Sequence, residues 1–120
     1  MTGMTKFFNT DCLEYMRESV PDSSVKLIVT DPPYGIGFDG ITSDTSWDNL
    51  DYEAFLTTFL TEAKRILTDD GTLWMCCGRT QIPVVFMVIE KVGLKCNLEN
   101  WLTYARQKGR GASKKLKSQA

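Results

Sequence analysis

No histidine occurs among the 120 residues of this chain. Imidazole is thereby excluded as general base, nucleophile or metal ligand, so acids, thiols, hydroxyls and backbone groups must carry any chemistry. The four cysteines, Cys12, Cys76, Cys77 and Cys96, form no Cys-x-x-Cys pair, so the spacing of a zinc or dithiol site is lacking and no metal is expected. Adjacent Cys76 and Cys77 lie in an apolar run, where buried free thiols are the expected state. No apolar run approaches the roughly 18 continuous residues of a membrane span. Met1 to Asn9 lack the pattern of a secretory signal. A cytoplasmic protein with no membrane partner is expected. Internal repeats are absent, and low complexity is confined to the tail.

What is present suits one small domain, with 42% hydrophobic residues. The net charge of −1 hides an uneven distribution. Residues 106–120 carry Arg106, Lys108, Arg110, Lys114, Lys115 and Lys117 with no acid, leaving eight bases against fifteen acids in residues 1–105. The chain therefore divides into a folded domain over 1–105 and a basic, flexible tail over 106–120. Arg106, Lys108 and Arg110 stand among Gly109, Gly111 and Ser113 and are candidates for phosphate contact. A solvated terminus is the plain alternative.

Strand and helix patterns alternate along the domain. Lys6 to Asn9 is a short strand by pattern. Asp11 to about Val20 is amphipathic, with Leu13, Met16 and Val20 at helical spacing and Pro21-Asp22 as the stop. Val25 to Thr30 is continuously apolar enough to be a strand buried on both faces. Gly35 to Asn49 is a loop of about fifteen residues, a length that in a compact domain is usually functional or disordered. Tyr52 to Leu67 is the best-formed helix, with Asp51 as its cap and a core-facing stripe from Phe55 to Leu67. Asp69-Asp70-Gly71 then turns the chain into a strand over Thr72 to Cys77. A helix from about Gln81 to Val92 follows, closed by Gly93, with Pro83 in its first turn. Lys95 to Tyr104 alternates loosely as a last strand. This order predicts an α/β fold with a mostly parallel sheet and helices on both sides.

The most informative segment is Val25-Lys26-Leu27-Ile28-Val29-Thr30-Asp31-Pro32-Pro33-Tyr34, an apolar strand that stops at an acid, two prolines and an aromatic. Two consecutive prolines lack N–H groups and fix φ, so the chain after Asp31 stays extended or turns and cannot enter a helix. In open α/β sheets, ligands bind beyond the carboxyl ends of the strands, where Asp31 to Tyr34 belong. A carboxylate, backbone carbonyls and a ring suited to stacking are what a planar amino group needs. An exocyclic amine on a nucleobase is a weak nucleophile because its lone pair is delocalised into the ring. Two acceptors on its hydrogens, the Asp31 carboxylate and the Pro32 carbonyl, localise that pair while Tyr34 stacks on the base, a case of electrostatic preorganisation.

At these residues the chain resembles the DNA amino-methyltransferases, whose Asp-Pro-Pro-Tyr signature occurs as Asp31-Pro32-Pro33-Tyr34. Four fixed residues recur by chance in roughly one chain in a thousand of this length. The resemblance implies methylation of adenine N6 or cytosine N4 from S-adenosylmethionine. It implies Asp31, Pro32, Pro33 and Tyr34 as catalytic residues and Asp11, Cys12 and Asp31 as cofactor-binding residues. The upstream Asn9-Thr10-Asp11-Cys12-Leu13-Glu14 looks like the acid-bearing segment that contacts the cofactor adenine. An N-terminal helix cap is an equally good reading of Asp11. The resemblance also sets Trp101 near the target base, where plain core packing is the competing reading. The partner implied is double-stranded DNA with a flipped base.

One family element is missing. The Gly-rich loop of Phe-x-Gly-x-Gly type, which carries the methionine end of the cofactor, has no counterpart here. The order of what is present matches the permuted class, in which that loop comes late. The expected fold is thus a partial Rossmann-like methyltransferase sheet lacking its central cofactor-loop strands. Self-association, a complementing chain, or a truncated, non-catalytic remnant that binds nucleic acid or a partner subunit are the outcomes open to such a fragment.

Overall fold

The computed structural model describes residues 3–33, 49–94, 100, 102 and 103. Its elements run α1 (Cys12–Ser19), β1 (Val25–Thr30), α2 (Asn49–Ile66), β2 (Leu67–Met75), a 3-10 turn (Arg79–Gln81) and α3 (Ile82–Lys91). β1 and β2 pair in parallel, as the strand–helix–strand order requires, because parallel neighbours need a crossover and α2 supplies it.

Local sequence explains each helix. Asp11 caps α1 through its side chain, accepting from the Leu13 N–H at 3.2 Å. In α2, Thr57, Thr58 and Thr61 each donate their hydroxyl to the carbonyl four residues earlier, which accommodates three threonines within a helix. α3 carries Pro83 in its first turn, where a missing N–H costs nothing. It ends on Gly93 at φ +81, with Gly93 N–H donating to the Glu90 carbonyl and Leu94 N–H to the Ile89 carbonyl. That pair of bonds is a Schellman cap, whose left-handed residue favours glycine.

The core forms between the helices and one face of the sheet. Met16 of α1, Tyr52, Leu56, Phe59, Leu60, Ala63 and Ile66 of α2, and Val85 and Val88 of α3 are buried together. Ile28 of β1 and Leu73 and Met75 of β2 pack against them. Ile28 is the ladder partner of Leu73, so these two share the covered face.

Several sequence expectations need correction. Lys6 to Asn9 form no strand, and among the described residues the sheet consists of β1 and β2. Val25 to Thr30 is a strand with the expected bounds, but it is covered on one face only. Leu27 and Val29 are exposed because the packed helices gather on the Ile28 side, not on both faces. α2 starts at Asn49, so Asp51 stands in its first turn rather than before it, where a carboxylate still complements the helix dipole. Asp69-Asp70-Gly71 does not precede the strand. β2 begins at Leu67 directly after α2, and the ladder jumps from Val25–Leu67 to Leu27–Thr72, leaving Lys26 opposite Thr68 to Gly71 as an irregular bulge. The strand ends at Met75, short of Cys76 and Cys77. Among the described residues the thiols are free but not buried, since Cys12 and Cys76 are exposed and Cys77 is half-buried, and Cys96 lies outside the described residues. The loop over 35–48 and the proposed strand over 95–104 lie outside the described residues, apart from Asn100, Leu102 and Thr103, which are in no regular element.

Candidate active site

The carboxyl ends of β1 and β2 lie side by side. Thr30 pairs with Met75 in the ladder, and one further bond runs from the Cys76 N–H to the Thr30 carbonyl at 3.0 Å. Asp31 is therefore the first residue beyond the paired backbone of β1. It is exposed, whereas Pro32 is buried and Pro33 is half-buried. The order follows from the prolines, which offer no N–H to continue a ladder. Burial of Pro32 anchors the segment and leaves the Asp31 carboxylate facing water. Tyr34 lies outside the described residues.

Asp11 and Cys12 belong to the start of α1. Asp11 is exposed, and one of its oxygens accepts the capping bond from Leu13. Both readings of this acid are compatible with that arrangement, because an exposed carboxylate that caps through Oδ1 still offers acceptor capacity. Cys12 begins the helix, and partial desolvation of its exposed thiol, together with the Asp11 charge, pushes its pKa upward. The same desolvation, with Cys76 alongside, raises the Cys77 thiol. Neither is poised as a thiolate nucleophile. Trp101, Arg106, Lys108 and Arg110 lie outside the described residues. Among the described residues no cluster of acids and thiols could hold a metal ion, and no helix is long and apolar enough to cross a membrane.

Sequence reasoning missed two features. Cys76 and Cys77, followed by Arg79 in the 3-10 turn, leave β2 at the same sheet end as Asp31; their place just past an apolar strand was the available signal. Arg65 of α2 is the second. Its guanidinium donates to the Met16 carbonyl at 2.6 Å, the Val20 carbonyl at 2.9 Å, Asp22 Oδ1 at 2.6 Å and Glu62 Oε2 at 2.8 Å. It thereby ties the C-terminal end of α1, and with it the helix that begins at Asp11, to α2. No local pattern signals a contact across more than forty residues.

The described residues form a parallel β–α–β unit with an acid and two prolines at the carboxyl end of its first strand, the end at which open α/β sheets bind ligands. Residues 25–120 match the DNA methylase family model, and the chain belongs to that family. It is 31% identical over 101 residues to type II methyltransferase M.HpaI of Haemophilus parainfluenzae, covering 81% of this chain and 31% of that protein. It is 42% identical over 81 residues to type II methyltransferase M.Cfr9I of Citrobacter freundii, covering 65% and 26%. Type II methyltransferase M.HinfI of Haemophilus influenzae is 31% identical over 121 residues, covering 83% and 31%. The chain thus spans between about a quarter and a third of the length of these relatives.

Proposed function

We propose that this chain is the catalytic-motif portion of an S-adenosylmethionine-dependent DNA amino-methyltransferase acting on adenine N6 or cytosine N4 within a restriction-modification system. The observation that carries the reading is the exposed Asp31 carboxylate, held by a buried Pro32 at the carboxyl end of β1. In this role Asp31 and the Pro32 carbonyl accept the two hydrogens of the target amine and localise its lone pair. Preorganised acceptors of this kind lower a barrier because they need no reorientation as charge develops on nitrogen. Pro33 stiffens the segment, and Tyr34 stacks on the base. The base must leave the duplex to reach such a site, and the cations Arg106, Lys108 and Arg110 are suited to the backbone phosphates.

The cofactor's fit is supported by the donor set. Its adenosine end carries hydroxyl and amino donors, and Asp11 offers an exposed acceptor at the start of α1. When bound, S-adenosylmethionine supplies an electrophilic methyl group. The chain's own contribution is to hold the amine and orient its lone pair through the Asp31 carboxylate and the Pro32 carbonyl.

The test is methyl transfer from labelled S-adenosylmethionine to duplex DNA by the wild-type protein and Asp31→Ala. An expected loss of about 10²-fold or more follows from removing one preorganised electrostatic group. Because Asp31 is exposed, the variant keeps its fold, as circular dichroism would report. Full transfer by Asp31→Ala would remove the assignment.

A further inference from the structure

The cations of the described residues are unevenly placed. Lys26 is the second residue of β1, and Lys64 and Arg65 close α2 just before β2 begins, so these three stand toward the amino ends of the strands. Lys91 pairs with Glu53 at 3.5 Å. Arg79 is the first cation beyond the carboxyl end of β2, in the 3-10 turn, and that is the sheet end from which Asp31 projects.

The turn fixes the Arg79 backbone and leaves its side chain free. Gln81 N–H donates to the Gly78 carbonyl at 3.0 Å, and Ile82 N–H to the Arg79 carbonyl. Gln81 is buried, whereas Arg79 is exposed. Among the described residues the Arg79 guanidinium has no carboxylate or carbonyl partner, while that of Arg65 is held by four acceptors. A free guanidinium offers five donors in a planar fork, which suits the paired oxygens of a phosphate.

Its reach matches the site. Cys76 N–H is bonded to the Thr30 carbonyl, and the three residues from Cys76 to Arg79 span at most about 11 Å. That is a few nucleotide steps on a strand that rises about 3.4 Å per base. Charge favours a cation there. Residues 1–105 hold fifteen acids against eight bases, and the exposed Asp31 carboxylate has the sign of the DNA backbone that must approach it.

We infer that Arg79 is a positioning residue of the proposed methyl-transfer site, its guanidinium binding a backbone phosphate of the DNA strand whose flipped base meets Asp31. The inference rests on the methyl-transfer reading and adds to it the contact that registers the strand at the sheet edge. Arg79 takes no part in the transfer itself.

The test is binding of a fluorescein-labelled, mixed-sequence DNA duplex, read by anisotropy over a salt series, for the wild type, Arg79→Gln, Arg79→Lys and Lys26→Gln. Arg79→Gln is expected to weaken binding and to lower the slope of log affinity against log salt by about one, the share of a single phosphate contact. Arg79→Lys keeps the charge and should restore the slope. Lys26→Gln, at the other end of the sheet, should leave it unchanged. In methyl transfer, the Arg79→Gln loss falls on KM for DNA while kcat is kept. Because the Arg79 side chain is exposed and unbonded, the variants keep the fold, as circular dichroism would report. An unchanged slope in Arg79→Gln, an equal fall in Lys26→Gln, no binding of the duplex by the wild type, or a loss confined to kcat overturns the inference. A slope lowered as expected in a protein that transfers no methyl group counts against the proposed activity and leaves the phosphate contact in place.

Discussion

Nη2 of Arg65 donates to the carbonyl of Met16 at 2.6 Å, so a side chain of α2 satisfies an end carbonyl of α1. The cation stands where the helix dipole is negative, and the hydrogen bonds it donates to Asp22 and Glu62 raise its pKa. Arg65→Gln is expected to lower the thermal midpoint and to speed amide exchange in α1. Arg65→Lys should recover only part of the loss, because one ammonium cannot span the carbonyls and carboxylates that the planar fork reaches. Circular dichroism melts of the three proteins check this, and equal midpoints would show the contact to be idle.

Gly71 lies in the bulge of β2, where an added Cβ would meet Leu67 Cδ2 at 2.9 Å, the Thr68 carbonyl at 3.0 Å and the Val25 carbonyl at 3.1 Å. Two of these neighbours are backbone atoms, which cannot swing aside. Gly71→Ala is expected to destabilise the chain by about 1–3 kcal/mol through overpacking. Urea unfolding measures it, and an unchanged midpoint would mean that the bulge yields freely.

Asp11 carries a structural and a proposed chemical role that substitution can separate. Asn caps a helix as well as Asp does, whereas Ala loses about 1 kcal/mol. Asp11→Asn should therefore keep the stability of the wild type while weakening S-adenosylmethionine binding, and Asp11→Ala should lose both. Calorimetric titration beside thermal melts distinguishes them. Wild-type affinity in Asp11→Asn would leave this acid as a cap alone.

The thiols of Cys12 and Cys77 are both raised from the ordinary value of 9.0. The folded chain thus holds these protons to higher pH than the unfolded chain. Their contribution to stability is complete below about 9 and is lost as pH rises through the folded values. In iodoacetamide labelling at about pH 8.5, both should react more slowly in the native chain than in urea, since only the thiolate attacks. Equal rates would contradict the shift.

Much of this arrangement is legible locally. The bounds of β1, the cap at Asp11, Pro83 and the Gly93 stop all follow from short-range chemistry, and each stands as the pattern predicts. The failures share a physical origin. Asp69-Asp70-Gly71 has turn composition, yet Val25 pairs with Leu67 before it, so a tertiary ladder claims residues that local propensity assigns elsewhere. Lys6 to Asn9 has strand composition but no strand beside it among the described residues. The exposure of Leu27 and Val29 depends on where three helices gather, which periodicity within a strand does not report. At the candidate site, the acid and prolines were readable as a motif, whereas the neighbouring Cys76 entered only through its bond to Thr30.

The end of α2 is closed from a distance. Ser23, at φ 49, and Ser24 donate their N–H groups to the carbonyls of Arg65 and Ile66. The residues that finish this helix therefore precede its last turn in the chain by about forty positions, and those that follow it pass straight into β2. A peptide comprising α2 alone would carry its sequence without its stop signal, and would fray at the last turn. Termination of α2 is in this sense a property of the assembled tertiary structure, and the short connection between α1 and β1 acts as its full stop.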